Sequence, residues 1–274
     1  MASGIVASDS PLPAGEAGFP PMIELKAVSK SYVRTGKGGT VLALDAITAR
    51  IGDGEFVSIV GPSGCGKSTL LYIVGGFVPA TSGQIVVQGK PITGPGPDRG
   101  PVFQEFALFP WKTVRENIRF GLTEQKVPRA EADARVDELL DLVHLRKYAD
   151  LYPKELSGGM KQRVAIARTL AYRPRTLLMD EPFGALDAHT RALLQDELLQ
   201  IWERERKTVL FITHGVDEAV YLSDRVLVMS AAPGSLKADI RIDLPRPRRR
   251  EELLLNRRYQ ELVIEIGRMM DNRH

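Results

Sequence analysis

Phe56-Val57-Ser58-Ile59-Val60 runs straight into Gly61-Pro62-Ser63-Gly64-Cys65-Gly66-Lys67-Ser68-Thr69. An uncharged apolar run bounded by a glycine turn predicts a buried strand over residues 55–60. The loop has the spacing G-x-x-x-x-G-K-[ST], and a helix is expected over 67–75. Glycines let successive backbone N–H groups turn inward around phosphate oxygens. The helix that follows points its positive end at the same anion. Lys67 can reach the β- and γ-phosphates of a nucleotide, and the Ser68 hydroxyl can ligate Mg²⁺. A chance glycine turn is the competing reading, and the strand before and helix after weigh against it.

Working outward, strands are expected at 22–33 and 41–51, joined by the loop TGKGGT, and at 84–88 and 100–103. Helices are expected at 113–122 and 128–143, where Ala132, Val136, Leu139, Leu140 and Val143 recur at helical spacing. Strands resume at 176–179, 208–212 and 225–229 with helices between them, and a last helix is expected over 251–270. This alternation predicts an α/β sheet covered by helices. Residues 105–170 read as a helical subdomain inserted into it. Residues 1–21 are rich in Pro, Gly, Ala and Ser and read as a disordered leader.

Composition excludes several classes. The chain has 274 residues, 43% hydrophobic and 26% charged, which is globular in character. One cysteine excludes a disulfide framework or a cysteine-based zinc site. The net charge is +3, too small to suggest a nucleic-acid binder. That excess sits in residues 245–274, which hold eight Arg against five acidic residues. No apolar run approaches the roughly 18 residues of a membrane span. The opening residues lack the pattern of a secretory signal.

A second acidic centre follows Leu177-Leu178-Met179 as Asp180-Glu181. Paired acids after a strand are often only a solvated strand end. Beside a phosphate loop, one suits Mg²⁺ and the next can orient or deprotonate water. Further motifs narrow the reading: Gln104 in VFQE, Leu156-Ser157-Gly158-Gly159-Met160, Gly184-Ala185-Leu186-Asp187 and Ile212-Thr213-His214. In this order they resemble the ATP-binding-cassette (ABC) family over residues 23–244.

The resemblance implies an ABC ATPase core of the P-loop NTPase class, with an antiparallel β subdomain and an inserted α-helical subdomain. It implies that residues 61–69 hold ATP and that Tyr32 stacks on adenine. Ser68, Gln104 and Asp180 would hold Mg²⁺. Glu181 would be the general base, Gln104 would sense the γ-phosphate or the attacking water, and His214 would hold the γ-phosphate. Ser157, Gly158 and Gly159 would face the γ-phosphate of a second cassette, and Asp187 would link the two sites. A head-to-tail dimer with two ATPs between its subunits follows, a homodimer being the simpler expectation than a pair of different cassettes. Met160 stands where glutamine is commoner, and Gly215 where acidic residues are common. Cys65 reads as a small filler residue, with a reactive thiolate as the lesser reading.

The segments VFQEFALFPWKTVRENI, LSGGMKQRVAIARTL and HGVDEAVYLSDRVLVMSAAPG resemble the nitrate/sulfonate/taurine branch of importers. That branch implies a separate membrane permease, a solute-binding protein acting through it, and a peripheral place on the cytoplasmic face of the inner membrane. Phe109, Pro110 and Trp111 are the expected permease contact, with packing inside the helical subdomain as the alternative. The arginines at 246 and 248–250 read as a solvated basic tail before a contact with lipid or permease. A soluble non-transport cassette is the competing class. Translation-type relatives usually carry two cassettes, and repair-type relatives a long coiled coil; neither pattern is present.

Overall fold

The computed structural model describes residues 21–34 and 38–270. The expected leader, apart from Pro21, and residues 35–37 of the TGKGGT loop lie outside the described residues. Strands β1 (Ile23–Val33), β2 (Thr40–Ile51), β3 (Phe56–Val60), β4 (Ser82–Val87), β5 (Lys90–Pro91), β6 (Arg99–Val102), β7 (Thr176–Asp180), β8 (Thr208–Ile212), β9 (Arg225–Met229) and β10 (Leu236–Arg241) form two sheets. One is antiparallel, in the order β2-β1-β4-β5. The other runs β10-β9-β3-β8-β7-β6 and is parallel except where β10 meets β9.

The apolar runs make sense in this second sheet. All five residues of β3, β7 and β8 are buried, as expected of strands covered on both faces. Alternate residues divide between two cores. Phe56, Val60, Met179 and Phe211 join the core under the helices. Val57, Ile59, Leu178 and Ile212 join the core shared with the antiparallel sheet and helix α1 (Lys67–Gly75).

The inserted subdomain contains α2 (Val114–Glu124), α3 (Arg129–Leu142) and α4 (Gly158–Ala171). A reciprocal cap starts α2: Thr113 accepts from the Glu116 N–H, and Glu116 accepts from the Thr113 N–H. Its return to the sheet is fixed by the Thr169 hydroxyl, which donates to the Pro101 carbonyl at 3.0 Å. After the sheet resumes, α5 (Ala188–Glu205) and α6 (Val216–Leu222) cover it.

Two expectations fail at the C-terminal end. The single helix over 251–270 is two: α7 (Arg250–Leu254) and α8 (Arg257–Met270). Asn256 interrupts them because its Oδ1 accepts from the Tyr259 N–H and caps α8. Nor are the arginines a solvated tail. Arg246 stacks 4.3 Å from the Trp202 ring centroid and donates to Asp224 and the Leu222 carbonyl. Arg248 is buried and donates to the carbonyls of Val220, Tyr221, Ser223 and Leu244. Burial pushes its pKa down to about 10. Arg250 lies 4.2 Å from the Tyr221 ring centroid. Of the four, only Arg249 stays in solvent, its side chain 75% exposed. Three apolar residues of α7 and α8, Leu253, Leu262 and Ile266, enter the core under the helices. A basic run that looks like a tail is therefore a clamp, because guanidiniums satisfy the buried carbonyls that the end of α6 leaves without helical partners.

Arg248→Met is expected to lower unfolding free energy by about 3 kcal/mol, since it orphans buried carbonyls. Arg249→Met is expected to change it by less than about 0.5 kcal/mol. Urea titration of both variants measures the difference.

Candidate nucleotide and metal site

Parallel pairing brings the C-terminal ends of β3, β6, β7 and β8 to one edge, where ligands of open α/β sheets bind. β3 delivers the loop 61–66. Gly66 sits just before α1 with φ 96°, and a Cβ there would meet the Leu44 side chain at 2.6 Å and the Ala43 carbonyl at 3.0 Å. The antiparallel sheet therefore forms the floor under the phosphate loop. Gly64, at φ 74°, opens to free space. Lys67 is buried, and its Nζ donates to the Gly61 and Pro62 carbonyls at 2.9 and 3.0 Å, so the ammonium lies within the loop's own curve. Pro62 is half-buried and Ser63 exposed at the loop's outer side, while Thr69 is half-buried in the first turn of α1. Cys65 is wholly buried in the core beneath, which suits filling space and gives reactivity no support.

The Ser68 hydroxyl donates to Asp180 Oδ1 at 2.9 Å, joining the start of α1 to the end of β7. Two oxygen ligands of this kind fit a hard cation such as Mg²⁺ that takes its other ligands from water and phosphate. Among the described residues, no group of three His, Cys, Asp or Glu could hold a metal by itself. Tyr72, one turn beyond Ser68, stands beside Asp180; burial first, then the Asp180 charge, raises its phenol pKa. Its spacing of four from Ser68 was the only sequence signal for it.

Glu181 follows Asp180 in the left-handed region, at φ 45°. That conformation costs an ordinary L-residue about 1–2 kcal/mol. It ends the strand sharply, so the adjacent carboxylates meet different partners. The Glu181 N–H donates to the Ile212 carbonyl at 3.0 Å. His214 Nε2 lies 2.5 Å from Glu181 Oε1. Asp180 pairs with Ile212 across β7 and β8, and this register sets Glu181 and His214 side by side. Gln104 follows β6 at the same edge; its Nε2 lies 3.6 Å from the position of a Cβ on Gly184. These residues converge from strands far apart in sequence.

Other expected residues are positioned by other elements. Tyr32 is on β1, 43% exposed, with Lys30 Nζ 5.1 Å from its ring centroid. Ser157 caps α4, its oxygen accepting from the Met160 N–H at 3.3 Å. Gly158 and Gly159 follow against the start of α5: a Cβ on either would meet Leu186 or Thr190. Asp187 caps α5 there, accepting from the Thr190 N–H at 3.0 Å, and this hydrogen bond lowers its pKa. Ser157 and Asp187 thus mark a second polar group at two helix N-termini.

The loop after Gln104 is held by two residues that sequence reading missed. Buried Asn117 accepts from the Phe109 N–H and donates to the carbonyls of Phe109, Lys112 and Thr113. Arg168 donates to the carbonyls of Ala107 and Phe106. Neither has a local motif; their partners are backbone groups brought near by folding. Phe109 packs inward, 4.5 Å from the Phe120 ring centroid, whereas Trp111 is 70% exposed. Pro110 between them is exposed.

A family model described as ABC transporter matches residues 44–184. The nitrate import ATP-binding protein NrtD of Synechocystis is 49% identical over 238 residues, covering 87% of this chain and 88% of that protein. The bicarbonate transport ATP-binding protein CmpC of Synechococcus elongatus is 49% identical over 247 residues, covering 89% of this chain but 37% of that longer protein. The dimeric structure of a bacterial ABC transporter cassette superposes with TM-score 0.72 at 34% identity, covering 82% of this chain and 100% of that one.

Gly66→Ala is expected to lower unfolding free energy by more than about 2 kcal/mol, because the added methyl meets backbone in a left-handed residue. Gly64→Ala, left-handed but in open space, is expected to cost about 1 kcal/mol. Thermal melts of the two variants give the comparison.

Proposed function

The chain belongs to the ABC transporter family, and on that basis we propose that it is the nucleotide-binding subunit of an importer of small solutes such as nitrate, sulfonate or taurine. It is an ATPase cassette of mixed α/β fold. The observation that carries the nucleotide-hydrolysing part of the proposal is the meeting of Ser68 with Asp180 and of Glu181 with His214 at one sheet edge.

The loop N–H groups and the Lys67 ammonium would offset the charge of the β- and γ-phosphates. Ser68 and Asp180, with Gln104, would hold Mg²⁺, which neutralises phosphate charge when bound. Glu181 would take a proton from the attacking water. His214 Nε2 reaches Glu181 directly, and as a donor it would orient that carboxylate or hold a phosphate oxygen. Catalysis of this kind is mostly positioning and charge stabilisation. Tyr32 would stack on the adenine. Ser157, Gly158, Gly159 and Asp187 would complete the site of a second copy, consistent with the dimeric cassettes that this chain resembles.

The names of the relatives, nitrate import and bicarbonate transport, support an importer over a soluble non-transport ATPase. Among the described residues, no helix is long and apolar enough to cross a membrane. A separate permease would supply the spans and, with a solute-binding protein, choose the solute. The subunit would then sit peripherally on the cytoplasmic face of the inner membrane. Exposed Trp111, flanked by Pro110 and backed by Phe109, is the proposed permease contact.

Two measurements test these assignments. Glu181→Gln is expected to keep ATP affinity within a few-fold while kcat falls by about 10² or more; near-parental turnover removes Glu181 as base. Purification of the tagged chain from detergent-solubilised membranes should recover a multi-span permease in equal amount. Trp111→Ala should cut that recovery about tenfold with the cassette's own ATPase rate preserved. Recovery with ribosomes, nucleic acid or no partner would overturn the importer assignment.

A further inference from the structure

A buried chain of hydrogen bonds leads from the C-terminal segment to the turn that carries His214. Arg250 Nη2 donates to Gln195 Oε1 at 2.7 Å. Gln195 Nε2 donates to Glu218 Oε1 at 2.6 Å. The Thr213 hydroxyl donates to Glu218 Oε2. The Gly215 N–H donates to that same hydroxyl oxygen at 2.9 Å. Thr213, Glu218 and Gln195 are each at most 9% exposed.

The direction of every bond follows from its first member. Arginine has no acceptor, so Gln195 must turn its oxygen toward Arg250 and its NH₂ toward Glu218. An ionised Glu218 only accepts, so the Thr213 hydroxyl must give its one proton to it. The hydroxyl's lone pair is then left for the Gly215 N–H. Thr213 and Gly215 flank His214 on both sides, so this bond closes the turn that aims the imidazole at Glu181.

We propose that Glu218 is a positioning residue for His214, and that Arg250 of the C-terminal segment sets the polarity of the chain through which it acts. The proposal rests on the reading of His214 as part of the hydrolytic site. It gives the C-terminal segment a part in turnover beyond its packing.

Glu218→Gln keeps the shape but replaces one of two accepting oxygens with an NH₂. Turned one way, the new amide sets its NH₂ against that of Gln195. Turned the other way, it sets its NH₂ against the Thr213 hydroxyl, whose proton then loses its acceptor. Exchanging the pair, Gln195→Glu with Glu218→Gln, restores every bond. The carboxylate, now at position 195, accepts from Arg250 and from the amide NH₂ at position 218. The amide oxygen at 218 accepts from Thr213. Arg250→Met acts differently, since without the arginine Gln195 is free to flip and accept from the amide that Glu218→Gln introduces.

Burial raises the Glu218 pKa while the hydrogen bonds from Thr213 and Gln195 lower it, with a net rise. Assays at about pH 8 therefore favour the ionised carboxylate more than assays at lower pH. Steady-state ATPase kinetics and thermal melts of the full chain are the readouts. Glu218→Gln is expected to lower kcat about tenfold with KM for ATP within about twofold. The exchanged pair is expected to return to within about threefold of the parent, and Arg250→Met with Glu218→Gln to turn over faster than Glu218→Gln alone. Parental kcat in Glu218→Gln, or an exchanged pair that melts normally but stays slow, overturns the role of Glu218. A double variant no faster than the single one overturns the role of Arg250. His214→Ala separates the two levels: its inactivity beside a normal Glu218→Gln condemns this proposal alone, whereas its full activity removes the underlying reading of the site.

Discussion

Parallel register between β7 and β8 is the constraint on which the rest depends. Asp180 stands opposite Ile212. One residue further along, one strand presents Glu181 and, two further, the other presents His214. A slip of β7 by a single residue would turn its alternating side chains over, sending Met179 out of the helical core and Leu178 out of the opposite one. The site is therefore specified by apolar residues that never touch a phosphate. Its polar geometry is inherited from the division of two cores across one sheet.

A comparable dependence explains the C-terminal segment. α6 is a short helix, and a short helix leaves a large fraction of its carbonyls without partners. Water would satisfy them at an open surface, but Tyr221 and Leu222 are buried. Arg248 and Arg246 supply donors where water is excluded, and Trp202 and Tyr221 give Arg246 and Arg250 flat apolar faces. Arginine suits this place because its planar fork holds several fixed donors at low hydration cost. The helix so anchored begins two residues after His214, which places the segment's packing and the turn of the site on one element.

Legibility in the sequence followed the range of the interactions. The phosphate loop, the strand-end acids and the strand and helix series were readable because their chemistry is contained in a few consecutive residues. β8 and β9 matched their expected limits, each being an apolar run bounded by charged or turn residues. What was missed is non-local. Asn117 and Arg168 bond to a loop whose position only the fold determines, and nothing in VRENIRF distinguishes that asparagine from a surface one. The arginines 246, 248 and 250 were misread because charge runs are usually solvated, and no local pattern records the carbonyls awaiting them. Asn256 had a legible signal, a capping residue within a helical pattern, that apolar periodicity on both sides concealed.

The loop from Gln104 to Trp111 shows how these levels join. Its first residue stays at the sheet edge beside Gly184. Its body is bound to the helical subdomain, to α2 through Asn117 and to α4 through Arg168. Its last residue, Trp111, faces solvent. A displacement of the helical subdomain must therefore either carry Gln104 away from the sheet edge or stretch the short segment before Phe106. Because the Asn117 and Arg168 contacts are made to backbone, they hold regardless of the loop's side chains. The linkage between proposed site and proposed partner surface is thus built into hydrogen bonds from two side chains to the loop's main chain, while the side chains at its two ends remain free to serve chemistry and recognition.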